Sequence, residues 1–166
     1  PEEKGTHQPD GIRVRIDYIL KAKPHLLETG FTDGPIGLEV KEPETDGGFP
    51  SKAIQVTSQA IDYSHTIFDN FGQCVFVLVY PSLEKQMGTS WEGYVAAFRI
   101  LDGLAQKSHV GSLKTYGRNG EKVVEMAFQG GTYWRNTEGL KGFKSIAERR
   151  WVGSHGRSVK FKVPEH

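Results

Sequence analysis

Two carboxylates and a lysine lie at the polar positions of two otherwise apolar segments. Asp17 lies within segment 12–20 (IRVRIDYIL), and Glu39 and Lys41 are at the end of segment 34–41 (GPIGLEVK). Because side chains alternate along a strand, Glu39 and Lys41 return to the same face. The 21 residues between Asp17 and Glu39 are enough for an antiparallel hairpin that would bring the three polar groups together.

A cluster of this composition predicts metal-dependent chemistry. Two carboxylates a few ångströms apart repel each other, and their burial is costly without a compensating cation. Asp17 and Glu39 are therefore candidate ligands of Mg²⁺ or Mn²⁺. Lys41 would point into the same pocket, where it could orient or help to deprotonate a metal-bound water and stabilise negative charge on a phosphate.

Segment 51–72 carries apolar residues at a helical spacing. Ile54, Ile61 and Phe68 recur every seven residues, and Gly72 closes the pattern, so we predict an amphipathic helix. A polar stripe is predicted on the opposite face, with members spaced by four residues: Ser51, Gln55, Gln59 and Tyr63. Its amide and phenol groups could support the metal-site groups or contact a nucleic-acid backbone.

Further segments predict the elements around this cluster. The continuous apolar run at 74–81 (CVFVLVYP) indicates a central strand buried on both faces, and 89–106 indicates a second helix. A hairpin is predicted around Asn119-Gly120, because this pair suits a type I′ turn. The patterns of 140–151 and 157–163 suggest a short helix and a final strand. These elements predict an α/β (α+β) fold in which helices flank a mixed central β-sheet.

Length and composition limit the class of protein. A chain of 166 residues with 37% hydrophobic content predicts one domain, spanning 1–166. We expect a soluble, non-secreted protein with no membrane partner, because no apolar stretch is long enough for a membrane span and the start does not resemble a signal peptide. Cys74, the single cysteine, predicts a buried thiol and excludes an internal disulfide. The six histidines show no H-x-x-x-H or H-E-x-x-H spacing typical of a zinc site.

The charge is unevenly distributed along the chain. Residues 1–70 carry 7 Lys/Arg and 12 Asp/Glu, whereas residues 135–166 carry 8 and 3. In the C-terminal part, about 130–166, the basic residues are interleaved with aromatic ones, which suits a polyanion such as nucleic acid, although an ordinary solvated basic surface explains this pattern equally well.

The order of these features resembles the PD-(D/E)xK nuclease superfamily. Its core places an Asp on one strand and Glu-x-Lys on the next, followed by a helix and a further strand; here these residues are Asp17 and Glu39-Val40-Lys41. Gln59 and Tyr63 resemble the Q-x-x-x-Y motif of the RecB-like and phage-exonuclease-like branch. The resemblance covers roughly residues 10–80 and implies a restriction-endonuclease-like core.

The resemblance implies a Mg²⁺-dependent (or Mn²⁺-dependent) deoxyribonuclease in which a metal-activated water hydrolyses DNA phosphodiester bonds. The expected catalytic residues are Asp17, Glu39, Lys41, Gln59 and Tyr63. The expected metal ligands are Asp17, Glu39 and the carbonyl of Val40. The residues expected to contact nucleic acid are Lys52, Arg149, Arg150 and Lys160. The expected location is the cytoplasm of a bacterial or phage-infected cell.

Several alternatives stay open at this point. Asp10, in the Pro9-Asp10 pair, competes with Asp17 for the role of first metal ligand. Many superfamily members carry an acidic residue on a helix before the first strand, but only Glu2 and Glu3 precede it here. A non-catalytic nucleic-acid-binding or assembly domain on the same scaffold is the alternative function. Exonuclease, endonuclease and junction resolvase, DNA and RNA, and the oligomeric state are not separated by the sequence.

Overall fold

The computed structural model describes residues 2–42, 51–82, 94–118, 120–128, 131–140, 151–152 and 157–158. Its helices are α1 (Pro24–Leu27), α2 (Ser51–Ser64) and α3 (Tyr94–Lys107). Its strands are β1 (Glu3–His7), β2 (Arg13–Ile16), β3 (Tyr18–Leu20), β4 (Ile36–Val40), β5 (Thr66–Phe68), β6 (Gly72–Gln73), β7 (Phe76–Tyr80), β8 (Val110–Arg118), β9 (Glu121–Phe128), β10 (Gly131–Arg135), β11 (Gly139–Leu140), β12 (Trp151–Val152) and β13 (Arg157–Ser158).

The largest sheet has seven strands in the order β11-β10-β9-β8-β7-β4-β3. β4 and β7 are parallel, as are β7 and β8, and the connections that contain α2 and α3 make these two crossovers. The other neighbours in this sheet are antiparallel. The prediction of a mixed α+β fold is therefore confirmed.

A second sheet has four antiparallel strands in the order β2-β1-β5-β6. Its first two strands form a hairpin in which Glu3 is opposite Ile16 and Thr6 is opposite Arg13. In the described part of the chain, a strand and not a helix therefore precedes β2. β12 and β13 form a separate two-stranded pair.

The core lies on both faces of β7. Val77 and Val79 pack with residues of α2 and α3, whereas Phe76 and Leu78 point to the opposite face and pack with Phe128 and other apolar residues. Because helices or loops cover both faces, the strand needs continuous apolar side chains, as the sequence predicted. The prediction of a buried Cys74 thiol is also confirmed.

The structure divides segment 12–20, which the alternation predicted as one strand. β2 ends at Ile16 and belongs to the four-stranded sheet, whereas β3 begins at Tyr18 and belongs to the seven-stranded sheet. Asp17 lies at the break. Alternation could not reveal this because both halves bury apolar side chains, each in its own sheet.

The predicted helix 51–72 is also too long, because α2 ends at Ser64. The next residues, 66–68 (TIF), are β-branched or aromatic and pair with β1, so that Thr66 and Phe68 are buried. The Thr-Ser start of the second helix, at 89–90, and most of the short helix expected at 140–151 lie outside the described residues. Of the final strand expected at 157–163, only β13 is described.

Candidate functional site

Asp17 and the end of β4 are joined by a hydrogen bond. The Asp17 carboxylate accepts a hydrogen bond from the Val40 backbone N–H, with Oδ2 and N 2.8 Å apart. The Asp17 carboxylate also lies close enough to the Glu39 carboxyl for its charge to act on that group. Lys41 completes the group, because its Nζ lies 2.7 Å from Glu39 Oε1. The structure thus brings Asp17, Glu39, Val40 and Lys41 together at the carboxyl end of β4.

Gly37 is the local reason that Asp17 can lie so close to β4. Glu39 and Gly37 share one face of the strand, and Ile16 packs across the glycine. A Cβ atom at position 37 would lie 2.8 Å from Ile16 Cδ1 and 3.1 Å from Val77 Cγ2. The missing side chain therefore lets Ile16, and with it the Asp17 bend, lie against β4.

Glu39 is a carboxylate in an unfavourable environment. It is 3% exposed. Burial raises the pKa of its carboxyl group, and this is the largest effect. The Lys41 ammonium lowers the pKa and the Asp17 charge raises it, so that the net shift is upward. A buried carboxylate beside a second acidic group destabilises the folded state unless a cation compensates, and in this structure the Lys41 ammonium partly does so.

Tyr63 lies within the electric field of both acidic groups. Its side chain is buried and packs with Phe68 in the core between the sheet and α2. Burial raises the pKa of its hydroxyl, and the charges of Glu39 and Asp17 raise it further, so the phenol remains protonated and can donate a hydrogen bond.

Gln59 lies one helical turn before Tyr63, on the same face of α2. Its Oε1 atom is buried and has no hydrogen-bond partner within the part of the chain that the structure describes. A buried amide oxygen without a partner is unfavourable, and Oε1 can still accept a hydrogen bond.

The predicted polar stripe of α2 is wrong in its orientation. The buried face of this helix is formed by Ala53, Val56, Ala60 and Tyr63, and Ile54 is 39% exposed. The spacing of three, four and three residues between the buried positions is helical, and the small alanines allow α2 to approach the sheet. The seven-residue pattern was misleading because its third member, Phe68, belongs to β5.

Asp10, the rival ligand, lies in the turn between β1 and β2. Its carboxylate accepts a hydrogen bond from the Ile12 backbone N–H and lies 2.7 Å from His7 Nδ1. These two bonds lower the pKa of the exposed Asp10 carboxyl. The geometry therefore favours Asp17, which contacts β4, as the partner of Glu39.

The predicted nucleic-acid contacts are only partly described. Lys52 is exposed in the first turn of α2. Arg149, Arg150 and Lys160 lie outside the described residues.

The donor chemistry at Asp17 and Glu39 fits Mg²⁺ or Mn²⁺. Across the described ranges, no group of three or more His, Cys, Asp or Glu side chains is placed to hold a metal ion. Mg²⁺ does not need such a group, because it commonly binds one or two carboxylates and keeps several waters. The carbonyl oxygen of Val40 is a further candidate ligand. The Val40 N–H points to Asp17, and in an extended residue the C=O group points to the same edge of the strand as the N–H group.

Comparison with protein-family models, curated proteins and solved structures found no match for this chain. The assignment of a function therefore depends on the residues and geometry of this cluster. Within the described residues, no helix is long and apolar enough to cross a membrane.

A second buried carboxylate, Glu125 on β9, was not identified from the sequence. It accepts hydrogen bonds from the Tyr116 hydroxyl (2.6 Å), the Thr132 hydroxyl (2.8 Å) and Arg135 Nη2 (2.9 Å). Burial alone would raise the pKa of Glu125, but these bonds outweigh it and the net shift is downward. Because both its oxygens are bonded, Glu125 stabilises the β8-β9-β10 region and is a poor candidate for a general base. The sequence feature that bears on Glu125 is the hairpin predicted around Asn119-Gly120. This hairpin pairs β8, which carries Tyr116, with β9, which carries Glu125.

Proposed function

We propose that this protein is a Mg²⁺-dependent or Mn²⁺-dependent nuclease that hydrolyses DNA phosphodiester bonds. The observation that carries the proposal is the buried Glu39 carboxylate at the end of a central strand, paired with the Lys41 ammonium and lying beside Asp17, which is hydrogen-bonded to the next residue, Val40. The chain order also agrees with a restriction-endonuclease-like core: β3 and β4 are antiparallel, and α2 lies in the connection to the parallel strand β7.

The burial of Glu39 argues against an ordinary surface salt bridge. Exposed ion pairs contribute about 0–1 kcal/mol and cost little to keep. A carboxylate that is 3% exposed and lies beside a second acidic residue carries a desolvation penalty, and such strained ionisable groups cluster at functional sites. A cation at Asp17 and Glu39 would relieve this penalty.

Each residue of the cluster has a distinct role in the proposed reaction. Asp17, Glu39 and the Val40 carbonyl hold the cation, which when bound supplies Lewis acidity toward water and phosphate. Lys41 Nζ turns from Glu39 toward the scissile phosphate or the attacking water and stabilises negative charge there. Tyr63, whose hydroxyl lies in the field of both carboxylates, and Gln59, one turn before it, are assigned the role of positioning the metal-site groups from the helix face.

A non-catalytic nucleic-acid-binding domain on the same scaffold is the second candidate. One observation favours it: the described residues offer two acidic side chains at this cluster, and Lys41 already pairs with one of them. Cleavage assays separate the two candidates.

The test is a digestion panel of plasmid, linear duplex and single-stranded DNA with Mg²⁺, Mn²⁺ or EDTA. We expect cleavage with either metal and none with EDTA. Glu39→Ala or Asp17→Ala should abolish it, whereas the matched control Asp10→Ala, which removes an exposed carboxylate of the β1–β2 turn, should cleave at the wild-type rate. Full activity of Asp17→Ala would contradict the proposed ligand set.

Lys41→Ala separates catalysis from binding. Its single-turnover rate at saturating Mg²⁺ should fall by about 100-fold or more, because a positioned proton donor or acceptor contributes about that much. Its DNA affinity in Ca²⁺ should change little, because the carboxylates hold the metal. Lys41→Arg should restore the rate only in part, because a planar guanidinium cannot replace a compact amine at a fixed water. A metal-independent affinity for DNA without any cleavage would favour the second candidate.

A further inference from the structure

The two faces of the sheet differ sharply at the end where the carboxylates lie. Glu39 points to the face covered by α2, whereas Leu38 and Val40 point to the other face. Tyr18 is directly opposite Leu38, and Tyr80 is in register with Val40, so both tyrosines share the second face. Three neighbouring strands therefore present Tyr18, Val40 and Tyr80 at one end of the sheet.

This group, here called the tyrosine rim (Tyr18, Val40 and Tyr80), is accessible. Tyr18 is 49% exposed and Val40 is 40% exposed, although both are large apolar side chains. Tyr80 is half-buried, and its hydroxyl lies 3.1 Å from Thr115 Oγ1, which holds the ring in place. Adjacent strands are about 4.8 Å apart, so the rim spreads apolar surface across three neighbouring strands.

The tyrosine rim lies next to the proposed nuclease site, around the end of the sheet. Tyr18 directly follows Asp17 in the chain, and the Val40 backbone N–H binds the Asp17 carboxylate. A phosphate bound through a cation at Asp17 and Glu39 would therefore have the exposed ring of Tyr18 one residue from Asp17.

The chemistry of the tyrosine rim indicates its ligand. Aromatic side chains on a sheet bind single-stranded nucleic acid by stacking on exposed bases, whereas the bases of an intact duplex are already stacked and unavailable. A stable protein interface buries about 800 Å² per partner, far more than three side chains supply. The tyrosine rim also lies beside the carboxylates that would hold a cation, and such a cation would bind the phosphate of the same strand.

We propose that the tyrosine rim stacks the unpaired bases of a nucleic-acid strand whose phosphate lies at Asp17 and Glu39. This inference rests on the proposed nuclease function and extends it. The preferred substrate is single-stranded DNA, or a duplex with a single-stranded end or flap, and an intact blunt duplex binds only through its backbone.

The experiment measures binding in Ca²⁺, so that cleavage does not interfere, by the anisotropy of a fluorescent single-stranded oligonucleotide and of the matching blunt duplex. Tyr18→Ala should weaken single-strand binding about tenfold and leave duplex binding within about twofold. Tyr18→Phe should bind as the wild type does, because the ring is kept. Ile67→Ala removes an equally exposed apolar side chain, 46% exposed on the other sheet, and should have no effect.

A fluorescent base analogue, 2-aminopurine, placed in the single strand provides a second measurement, because stacking on tyrosine quenches it. Wild-type protein and Tyr18→Phe should quench it, and Tyr18→Ala should not. The stacking proposal would be overturned if Tyr18→Ala kept its affinity for the single strand, or if it lost affinity for the duplex to the same extent. Either result would leave the nuclease proposal to be decided by the cleavage assays. Failure of the wild-type protein to bind either DNA would overturn both proposals.

Discussion

The ion pair between Lys41 and Glu39 leads to a stability prediction that does not depend on nuclease activity. Lys41→Met keeps much of the side-chain volume but removes the ammonium group 2.7 Å from Glu39 Oε1. The buried carboxylate then keeps its desolvation and the repulsion of the Asp17 charge, without a compensating cation. We expect Lys41→Met to be less stable than the wild-type protein.

The expected loss is about 2 kcal/mol at neutral pH. The Coulomb attraction at this distance is about 6 kcal/mol with an effective dielectric constant of about 20, which is an upper limit. The side chain of Lys41 is 37% exposed, so water already screens part of this attraction. Loss of a hydrogen bond to a charged group typically costs about 1.5–3 kcal/mol. For a chain of this size, the midpoint of thermal unfolding should fall by about 4–8 °C.

The loss should depend on pH in one direction. Burial raises the pKa of the Glu39 carboxyl above its ordinary value of 4.5, and removal of Lys41 raises it further. The folded state of Lys41→Met therefore binds a proton more tightly than the unfolded state, and its relative stability falls as the pH rises above about 4.5. As the pH falls below this value the carboxyl is increasingly protonated in both proteins, so the difference between their stabilities should shrink toward pH 4.

The assay is urea unfolding followed by circular dichroism between pH 4 and pH 8 in EDTA, for Lys41→Met, Glu39→Gln and the double variant. The double variant should recover most of the stability, because the neutral amide that replaces the Glu39 carboxylate needs no compensating cation. Lys23→Met, which removes an exposed lysine, is the matched control and should change stability by at most about 0.5 kcal/mol. A deficit of the same size at every pH, or no recovery in the double variant, would refute the buried ion pair.

Two further predictions concern other parts of the chain. Glu125→Gln should lower the free energy of unfolding by about 1–3 kcal/mol at neutral pH and flatten its dependence on pH on the acid side. The lowered pKa of Glu125 contributes stability above the unfolded pKa, and this contribution is lost as the pH falls. Urea titrations from pH 3 to pH 7 measure the change, and an unchanged profile would contradict it. Replacing Arg149, Arg150 or Lys160 by Gln should weaken DNA binding similarly on unrelated sequences and reduce its salt dependence. The reason is that a protein with fewer phosphate contacts releases fewer counterions. An unchanged slope of affinity against salt would leave these residues as ordinary surface.

The parts of the fold that depend on local patterns could be predicted from the sequence. The apolar run around Val77 and Val79 indicated a doubly covered strand, and the Asn119-Gly120 pair indicated the hairpin between β8 and β9; the structure contains both. The pairing of the Asp17 and Glu39 segments also follows from local pattern, since β3 and β4 are antiparallel with Tyr18 opposite Leu38. Such signals are carried by residues close together in the chain.

The orientation of α2 could not be predicted with the same success. Two interpretations of its sequence were possible, one with Ile54 and Ile61 inward and one with Ala53, Val56 and Ala60 inward. The structure selects the second, because small side chains let the helix approach β7, and this choice places Tyr63 beside the acidic residues. The deciding partner, a strand more than ten residues away, is invisible to helical periodicity.

The sequence by itself determined which residues could form an acidic cluster: Asp17, Glu39 and Lys41, at positions set by strand alternation and order. Only the tertiary structure decided that β2 and β3 part at Asp17 and enter different sheets, that Glu39 is buried against the Lys41 ammonium, and that Tyr18 is exposed on the opposite face. The physical reason is that alternation specifies which side chains share a face, whereas burial depends on what packs against that face, here Ile16 across Gly37.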